Sequence, residues 1–201
     1  MCGIVGFTGA QQAAPILLDG LKRLEYRGYD SAGIAVQNGA KIETAKCSGL
    51  LENLFRLTDN GASVRGVCGI GHTRWATHGA PTTANAHPHL SNDGHFAVVH
   101  NGIIENYAEL RDELRARGYT FHSETDTEVI VNLLEMYYDG NLKRTVMKMI
   151  ARLEGSYGLG IVCDDHPGEI VAVKNASPLI LGIGAGENFF ASDVTAVIGH
   201  T

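Results

Sequence analysis

The chain begins Met1-Cys2-Gly3-Ile4-Val5-Gly6-Phe7, and this stretch decides how the rest of the sequence is interpreted. The apolar residues Ile4, Val5 and Phe7 alternate with small ones and predict a buried strand that starts beside Cys2. If the initiator methionine is removed, Cys2 carries a thiol and a free α-amino group on one residue. An N-terminal amine can activate a weak nucleophile on the same residue. The stretch therefore predicts either an N-terminal nucleophile or an ordinary buried cysteine.

The composition is that of a globular protein. Of the 201 residues, 44% are hydrophobic and 19% are charged, which is enough to bury a substantial core, and we predict a single domain over residues 1–201. The net charge of -6 offers no basic surface, so no nucleic-acid partner is expected. No apolar run approaches the roughly 20 residues of a membrane helix, and no membrane partner is expected either.

The cysteines and the chain ends indicate a cellular setting. The cysteines lie far apart and form no paired motif, which favours reduced thiols in a cytoplasmic protein; they are Cys2, Cys47, Cys68 and Cys163. The N-terminus lacks the segments of a signal peptide, so the mature chain is expected to begin at Met1 or Cys2. Residues 197–201 form no capping or solubilising tail, and we therefore expect a longer protein to continue there.

Hydrophobic periodicity predicts strands at both ends of the chain and helices grouped between them. Predicted strands cover 3–9, 32–37, 41–47, 67–73, 96–100, 157–163, 170–174, 179–182 and 189–191. Predicted helices cover 12–26, 50–57, 105–117 and 142–153, and another starts near Thr125. This order favours an α+β fold of two packed sheets covered by helices over a regular β-α-β alternation.

Two loops carry more polar chemistry than turns require. The loop 24–33 contains Arg27 among aromatic and acidic residues, although it also has the glycine and the cation of an ordinary helix end. The loop 71–79 contains Arg74 and the single tryptophan, Trp75. An arginine fork suits a carboxylate, and a loop tryptophan can close over a small ligand. The alternative is a surface arginine stacked on the tryptophan.

Asn101-Gly102 directly follows the predicted strand at 96–100. Asn-Gly usually marks a hairpin turn, but the residues after it are predicted to be helical, which disfavours a hairpin. A glycine N–H beside an asparagine side-chain amide supplies two donors, as in an oxyanion hole.

Asp126 falls in the first turn of the helix predicted from the capping-box spacing of Thr125 and Glu128. It either interacts with the helix dipole alone or, with Arg74, holds the ammonium and carboxylate groups of a free amino acid.

Two other patterns do not match a cofactor site. The nine histidines, among them His87-Pro88-His89, have no standard metal-ligand spacing, so no metal is predicted. The segment 182–186 has glycines in an order similar to a dinucleotide-binding loop. However, the third glycine is misplaced and a strand-like segment follows where a helix is needed, so no organic cofactor is predicted.

Taken in order, five motifs resemble the glutaminase domain of the glutamine:fructose-6-phosphate aminotransferase family, whose glutaminase domains are class II glutamine amidotransferases. They are Met-Cys-Gly-Ile-Val-Gly, Leu-Glu-Tyr-Arg-Gly-Tyr-Asp-Ser-Ala-Gly, His-Thr-Arg-Trp-Ala-Thr-His-Gly, His-Asn-Gly-Ile-Ile-Glu-Asn and Ser-Glu-Thr-Asp-Thr-Glu. The resemblance covers nearly the whole chain. It implies a four-layer αββα sandwich of the N-terminal-nucleophile hydrolase type that cleaves L-glutamine to glutamate and ammonia without a metal or cofactor.

The resemblance also implies a role for each matching residue. Cys2 would be the nucleophile and its own amine the base. The oxyanion hole would come from Asn101 and Gly102. The glutamine α-carboxylate would be bound by Arg74 with help from Thr77 and His78, and the α-amino group by Asp126 and the Gly102 backbone. Trp75 would be a gate towards an ammonia channel, and Arg27 would order the pocket. The full-length enzyme would be a homo-oligomer whose sugar-isomerase domains, absent here, bind fructose 6-phosphate.

Two alternatives stay open. Another class II amidotransferase, such as a glutamine phosphoribosylpyrophosphate amidotransferase, would share the terminal cysteine, although the motifs around Arg27 and Arg74 favour the sugar-phosphate branch. A non-catalytic amino-acid-binding domain is the second alternative, because retention of Met1 would block the amine that the chemistry needs.

Overall fold

The structure, a computed structural model, describes residues 2–39, 41–75 and 79–199. Its strands are β1 (Gly3–Thr8), β2 (Ser31–Gln37), β3 (Ile42–Ser48), β4 (Cys68–Arg74), β5 (His89–Leu90), β6 (Phe96–Ile104), β7 (Gly155–Cys163), β8 (Val171–Asn175), β9 (Ile180–Ile183) and β10 (Asn188–Ala191). Its α-helices are α1 (Ala13–Arg23), α2 (Leu51–Leu57), α3 (Tyr107–Ala116), α4 (Glu128–Tyr137) and α5 (Leu142–Ile150). Short 3-10 helices lie at Glu25–Arg27 and Val194–Ala196.

The strands form two antiparallel sheets. The first has six strands in the order β3-β2-β4-β1-β10-β9, and the second has four in the order β5-β6-β7-β8. Strand β1 lies in the interior of the first sheet, where Gly3 pairs with Thr73 of β4 and Val5 with Ala191 of β10. The N-terminal strand is therefore fixed from both sides by segments far away in the sequence.

Three hydrophobic cores separate four layers. Helices α1 and α2 pack on the outer face of the first sheet, and helices α3, α4 and α5 pack on the outer face of the second. The third core lies between the sheets and includes Ile4, Ile70, Val99 and Val162. This arrangement confirms the predicted α+β fold and its αββα layers.

Helix α1 illustrates why the pattern produces these layers. Leu17, Leu18 and Leu21 recur at helical spacing and are fully buried against the first sheet, and each buried leucine contributes about 1.5–3 kcal/mol. Lys22 and Arg23 in the last turn face the negative end of the helix dipole. None of the helices in the described part of the chain has the length and apolar character that crossing a bilayer requires.

Strand β6 is longer than the sequence predicted, and the extra length includes candidate site residues. It continues past His100 through Asn101 and Gly102 to Ile104, because β7 pairs with it along its whole length and places Tyr157 opposite Gly102. The expectation that Asn-Gly does not form a hairpin is confirmed. The predicted strand end at His100 is wrong, and the two residues lie within a sheet instead of a loop.

Helix α4 begins at Glu128, so Asp126 lies just before the helix and not in its first turn. The predicted capping box does not form. The Glu128 carboxylate accepts hydrogen bonds from the backbone N–H groups of His122 and Ser123 at 2.8 and 2.7 Å, while the Thr125 hydroxyl is bonded to His89. These competing partners move the helix start and leave Asp126 in the preceding turn.

Candidate active site

The candidate site lies where the same ends of both sheets meet. Cys2 immediately precedes β1, and Arg74 ends the neighbouring strand β4 of the first sheet. Asn101 and Gly102 come from β6 of the second sheet. Cys2, Arg74, Gly102 and Asp126 line one pocket, so the structure brings together residues that the sequence separates by more than 120 positions.

The Cys2 thiol is held by the backbone of a single residue. Its Sγ accepts a hydrogen bond from the Trp75 N–H at 3.2 Å and is 3.6 Å from the Trp75 carbonyl oxygen, to which the S–H group can donate. Burial raises the pKa of the Cys2 thiol above its ordinary value. The thiol is therefore protonated at neutral pH, and nucleophilic attack needs a base to remove its proton.

The loop 24–33 supports this backbone. The Asp30 N–H donates to the Arg74 carbonyl oxygen at 3.0 Å, and the Tyr29 ring contacts the Trp75 ring edge-on with centroids 5.2 Å apart. A Cβ atom at Gly28 would lie 2.6 Å from the Arg74 carbonyl carbon, so only glycine allows the two segments to approach. The polar density of this loop thus serves to position β4 and the residue that follows it.

Arg74 and Asp126 place opposite charges in the same pocket. The Arg74 guanidinium is buried and donates to the carbonyl oxygens of Ala80 and Gly79 at 3.2 and 3.3 Å, while burial lowers its pKa below the ordinary value of an arginine. The Asp126 carboxylate accepts a hydrogen bond from the Ile104 N–H at 2.8 Å through Oδ2. Both side chains are held by backbone groups, which fixes the separation of the charges.

Asn101 and Gly102 approach Cys2 from the second sheet. The Asn101 Nδ2 atom donates to the Cys2 carbonyl oxygen at 3.0 Å, so the two residues are in direct contact. Gly102 has a φ of +130°, and a Cβ atom there would lie 2.0 Å from the Ser156 carbonyl oxygen. No other residue fits this position without moving β7.

A second cavity shares Cys2 with the first and is lined by Arg27. Cys2, Trp75 and Gly102 line both cavities, whereas Arg27 and Asn101 line only the second. The Arg27 guanidinium is bonded to Asp193 at 2.5 Å and to the Tyr26 hydroxyl at 3.1 Å. Arg27 is therefore near the thiol but does not share the pocket of Arg74 and Asp126. The predicted substrate residues Thr77 and His78 lie outside the described residues.

A cluster of four buried histidines was not predicted from the sequence, and three of them, His72, His87 and His100, line the pocket. The His87 ring stacks on His72 with centroids 4.2 Å apart and contacts His89 and His100 at 4.8 and 6.4 Å. Burial lowers the pKa of all four, that of His72 to about 3, so they are neutral at pH 7. The only sequence signal was the large number of histidines, of which His72 and His100 fall in predicted strands.

These histidines do not converge as metal ligands. Among the described residues, three possible metal-binding side chains come together only at His95, Asp164 and Asp165. His95 directly precedes β6, at the opposite end of that strand from Asn101, so this group is not part of the candidate site.

Comparisons with known proteins show the family of the chain. A family model described as "Glutamine amidotransferase domain" matches residues 72–199. The chain is 56% identical to the glutamine–fructose-6-phosphate aminotransferase (isomerizing) of Clostridium acetobutylicum and 52% identical to that of Thermus thermophilus. Each match covers 100% of this chain but only 33% of the relative, so the chain spans about a third of the length of these curated relatives.

Solved structures show the same fold. A glutamine phosphoribosylpyrophosphate amidotransferase from B. subtilis, 28% identical, superposes over 98% of this chain and 43% of its own with a TM-score of 0.86. A structure described as the allosteric regulatory enzyme of purine biosynthesis, 30% identical, covers the same shares with a TM-score of 0.87. The family match, the relatives and the fold agree, and the chain belongs to the glutamine amidotransferase domain family.

Proposed function

We propose that this chain is an N-terminal cysteine glutaminase that hydrolyses L-glutamine to glutamate and ammonia. The observation that carries the proposal is the pocket in which the Cys2 thiol lies beside a buried cation, Arg74, and a buried carboxylate, Asp126. A free α-amino acid carries one charge of each sign on its α-carbon. A pocket with two fixed opposite charges and a thiol suits an amino acid whose side chain is to be attacked.

The charges define how glutamine would bind. Arg74 would hold the α-carboxylate through its planar fork, with help from Thr77 and His78, and Asp126 would accept hydrogen bonds from the α-ammonium group. The side-chain amide would then extend towards the Cys2 Sγ atom. Binding at both ends of the substrate converts the attack into an oriented, effectively unimolecular step.

The reaction would proceed in two acyl-transfer steps. After removal of Met1, the Cys2 α-amino group takes the thiol proton, and the thiolate attacks the amide carbon to give a tetrahedral oxyanion stabilised by Asn101 and Gly102. The C–N bond breaks, the departing nitrogen takes a proton and leaves as ammonia, and a γ-glutamyl thioester remains. Water then cleaves the thioester, releasing glutamate and restoring the thiol.

The names of the relatives extend this proposal to a larger enzyme. In a longer protein of that kind, this domain would supply ammonia for the conversion of fructose 6-phosphate to glucosamine 6-phosphate on sugar-isomerase domains. The second cavity would be the exit for ammonia, because Cys2 and Trp75 border both cavities. A homo-oligomeric, cytoplasmic enzyme fits this proposal, and the four cysteines are free thiols.

The test combines intact-mass measurement with an ammonia-release assay. A chain with a mass that corresponds to loss of Met1 is expected to release ammonia from glutamine, and Cys2→Ala is expected to lose this activity by at least about 10³-fold. Cys47→Ala is the matched control, since that thiol lies on β3. An inactive processed chain, or an active Cys2→Ala variant, would contradict the proposal.

The alternatives make different predictions. A non-catalytic amino-acid-binding domain would bind glutamine in a calorimeter without releasing ammonia, even when Met1 has been removed. A phosphoribosylpyrophosphate-dependent enzyme is favoured less, because identity to that structure is 28% against 56% for the sugar-phosphate relative.

A further inference from the structure

We propose that His72 is a positioning residue that sets the orientation of the Asn101 side-chain amide and thereby aims its N–H group at the reacting carbonyl. The proposal rests on the proposed glutaminase function and adds a residue to its machinery. It starts from the contacts of a single ring nitrogen, Nε2 of His72.

The first contact identifies the atom that carries the proton. His72 Nε2 lies 3.0 Å from the His100 carbonyl oxygen, and a carbonyl oxygen can only accept a hydrogen bond. Nε2 therefore carries a hydrogen. Because burial lowers the pKa of His72 to about 3, the ring is neutral at pH 7 and holds this single proton on Nε2.

The second contact of His72 Nε2 is with the side-chain amide of Asn101. The same Nε2 lies 3.1 Å from Asn101 Oδ1, so the N–H group is shared between the His100 carbonyl and the Asn101 amide oxygen. With Oδ1 fixed on this side, Nδ2 must point to the other side, where it donates to the Cys2 carbonyl oxygen at 3.0 Å. The second hydrogen of Nδ2 can then be donated to the substrate oxyanion that forms when the Cys2 thiolate attacks.

The reversed amide would be mismatched at both ends. Rotation by 180° would place the Asn101 NH₂ group against the His72 N–H and the amide oxygen against the Cys2 carbonyl oxygen. Two donors would then face each other at one end and two acceptors at the other. A buried polar group without a partner costs about 1–3 kcal/mol. A single N–H on His72 therefore selects one of two amide orientations, and only that orientation presents a donor to the substrate.

His72 is itself held rigidly. It lies in β4, paired with Ile4 of β1 and with Gly33 of β2, is 1% exposed, and its ring stacks on His87. Its contact with Asn101 crosses from the first sheet to the second. The nucleophile and the oxyanion donor belong to different sheets, and this hydrogen bond joins those sheets beside the site.

The test is a double-mutant cycle in ammonia release. His72→Phe keeps an aromatic ring for stacking but has no donor, and we expect kcat to fall by about 10²-fold, the loss typical of one oxyanion donor, with KM for glutamine changed less than threefold. Asn101→Ala should give a similar loss. In the Asn101→Ala background His72→Phe should have no further effect, because the two changes remove one function. Multiplicative losses would overturn the proposal.

Rescue and control variants separate positioning from packing. His72→Gln ends in an NH₂ group at a similar distance from the backbone and should recover at least tenfold of the lost kcat relative to His72→Phe. His89→Phe replaces a histidine of the same cluster that has no bond to Asn101 and should keep kcat within about threefold. Equal losses in His72→Gln and His72→Phe, or in His89→Phe, would indicate packing alone and would contradict the proposal.

A measurement without catalysis keeps the proposal testable if the variants fail to fold or the wild type is inactive. Long-range ¹H–¹⁵N correlation spectra of the wild-type chain should show a neutral His72 ring with its proton on Nε2 at pH 7. A proton on Nδ1, or a charged ring, would overturn the positioning role. If the spectrum is as expected but processed wild type releases no ammonia, the glutaminase function fails separately.

Discussion

At the scale of single residues, the fixed pair of Arg74 and Asp126 makes the most direct prediction. Arg74→Lys keeps the charge but loses the planar fork, so we expect KM for glutamine to rise at least tenfold while kcat changes by less than about threefold. Steady-state kinetics of ammonia release measure both values. Arg117→Lys, an exposed position at the end of α3, is the control, and an unchanged KM in Arg74→Lys would remove Arg74 from the carboxylate site.

Asp126 allows a test with altered substrate. Asp126→Asn removes the negative charge while keeping the size, and the KM for glutamine should rise at least tenfold because the α-ammonium loses its counter-charge. The same substitution should affect N-acetylglutamine, which has no ammonium group, by less than threefold. Equal losses for both substrates would mean that Asp126 does not contact the amino group.

Some polar residues that line the candidate site can be recognised in the sequence, and others cannot. Arg74, Asp126 and Asn101 stand out because their chemistry is unusual beside apolar strands. His72 could not be recognised, because its importance depends on a hydrogen bond to a strand of the other sheet. No local pattern of charge or spacing encodes such a contact.

At the scale of elements, the pairing of β6 with β7 sets a strict condition on Gly102. Gly102→Ala combines a positive φ with a clash against Ser156, and we expect it to lower the free energy of unfolding by at least about 3 kcal/mol. Gly94→Ala also has a positive φ, +80°, but has open space around it, and should cost about 1–2 kcal/mol. Urea unfolding of both variants measures the difference, and equal costs would contradict this explanation.

The elements themselves were largely predictable, because each has a regular apolar face. The end of β6 and the start of α4 were predicted wrongly for the same reason. Strand β6 extends beyond its predicted end because β7 pairs with Asn101 and Gly102. Helix α4 begins later than predicted because the hydroxyl of Thr125 is bonded to His89. In both cases a distant partner outweighed local propensity. Gly102 and Asp126 of the candidate site lie at these two places, so two errors of local prediction fall on its lining.

At the scale of the whole molecule, the four neutral histidines predict how stability depends on pH. Their folded-state pKa values lie below the value of about 6.5 in an unfolded chain, so between these values the unfolded state binds more protons than the folded state. The contribution of these histidines to the free energy of unfolding is complete above about pH 6.5. It falls as pH decreases, down to about pH 3 for His72. The free energy of unfolding should lose up to about 5 kcal/mol per pH unit.

Urea unfolding between pH 7 and 5 measures this slope before most carboxylates titrate. His89→Gln should make the slope shallower by about 1.4 kcal/mol per pH unit, since one buried base is removed. His95→Gln is the control, because His95 is half-buried and its hydrogen bond to Asp164 raises its pKa, which acts in the opposite direction. A wild-type slope near zero would show that the cluster is not held neutral.

The interior position of β1 has a consequence for the order of events during synthesis. Strand β1 is translated before both of its neighbours: β4 follows about seventy residues later, and β10 comes only at Asn188–Ala191. Until both have been translated, the terminus has no sheet to enter and the thiol has no pocket. The proposed glutaminase activity would therefore begin only after β10 has been translated.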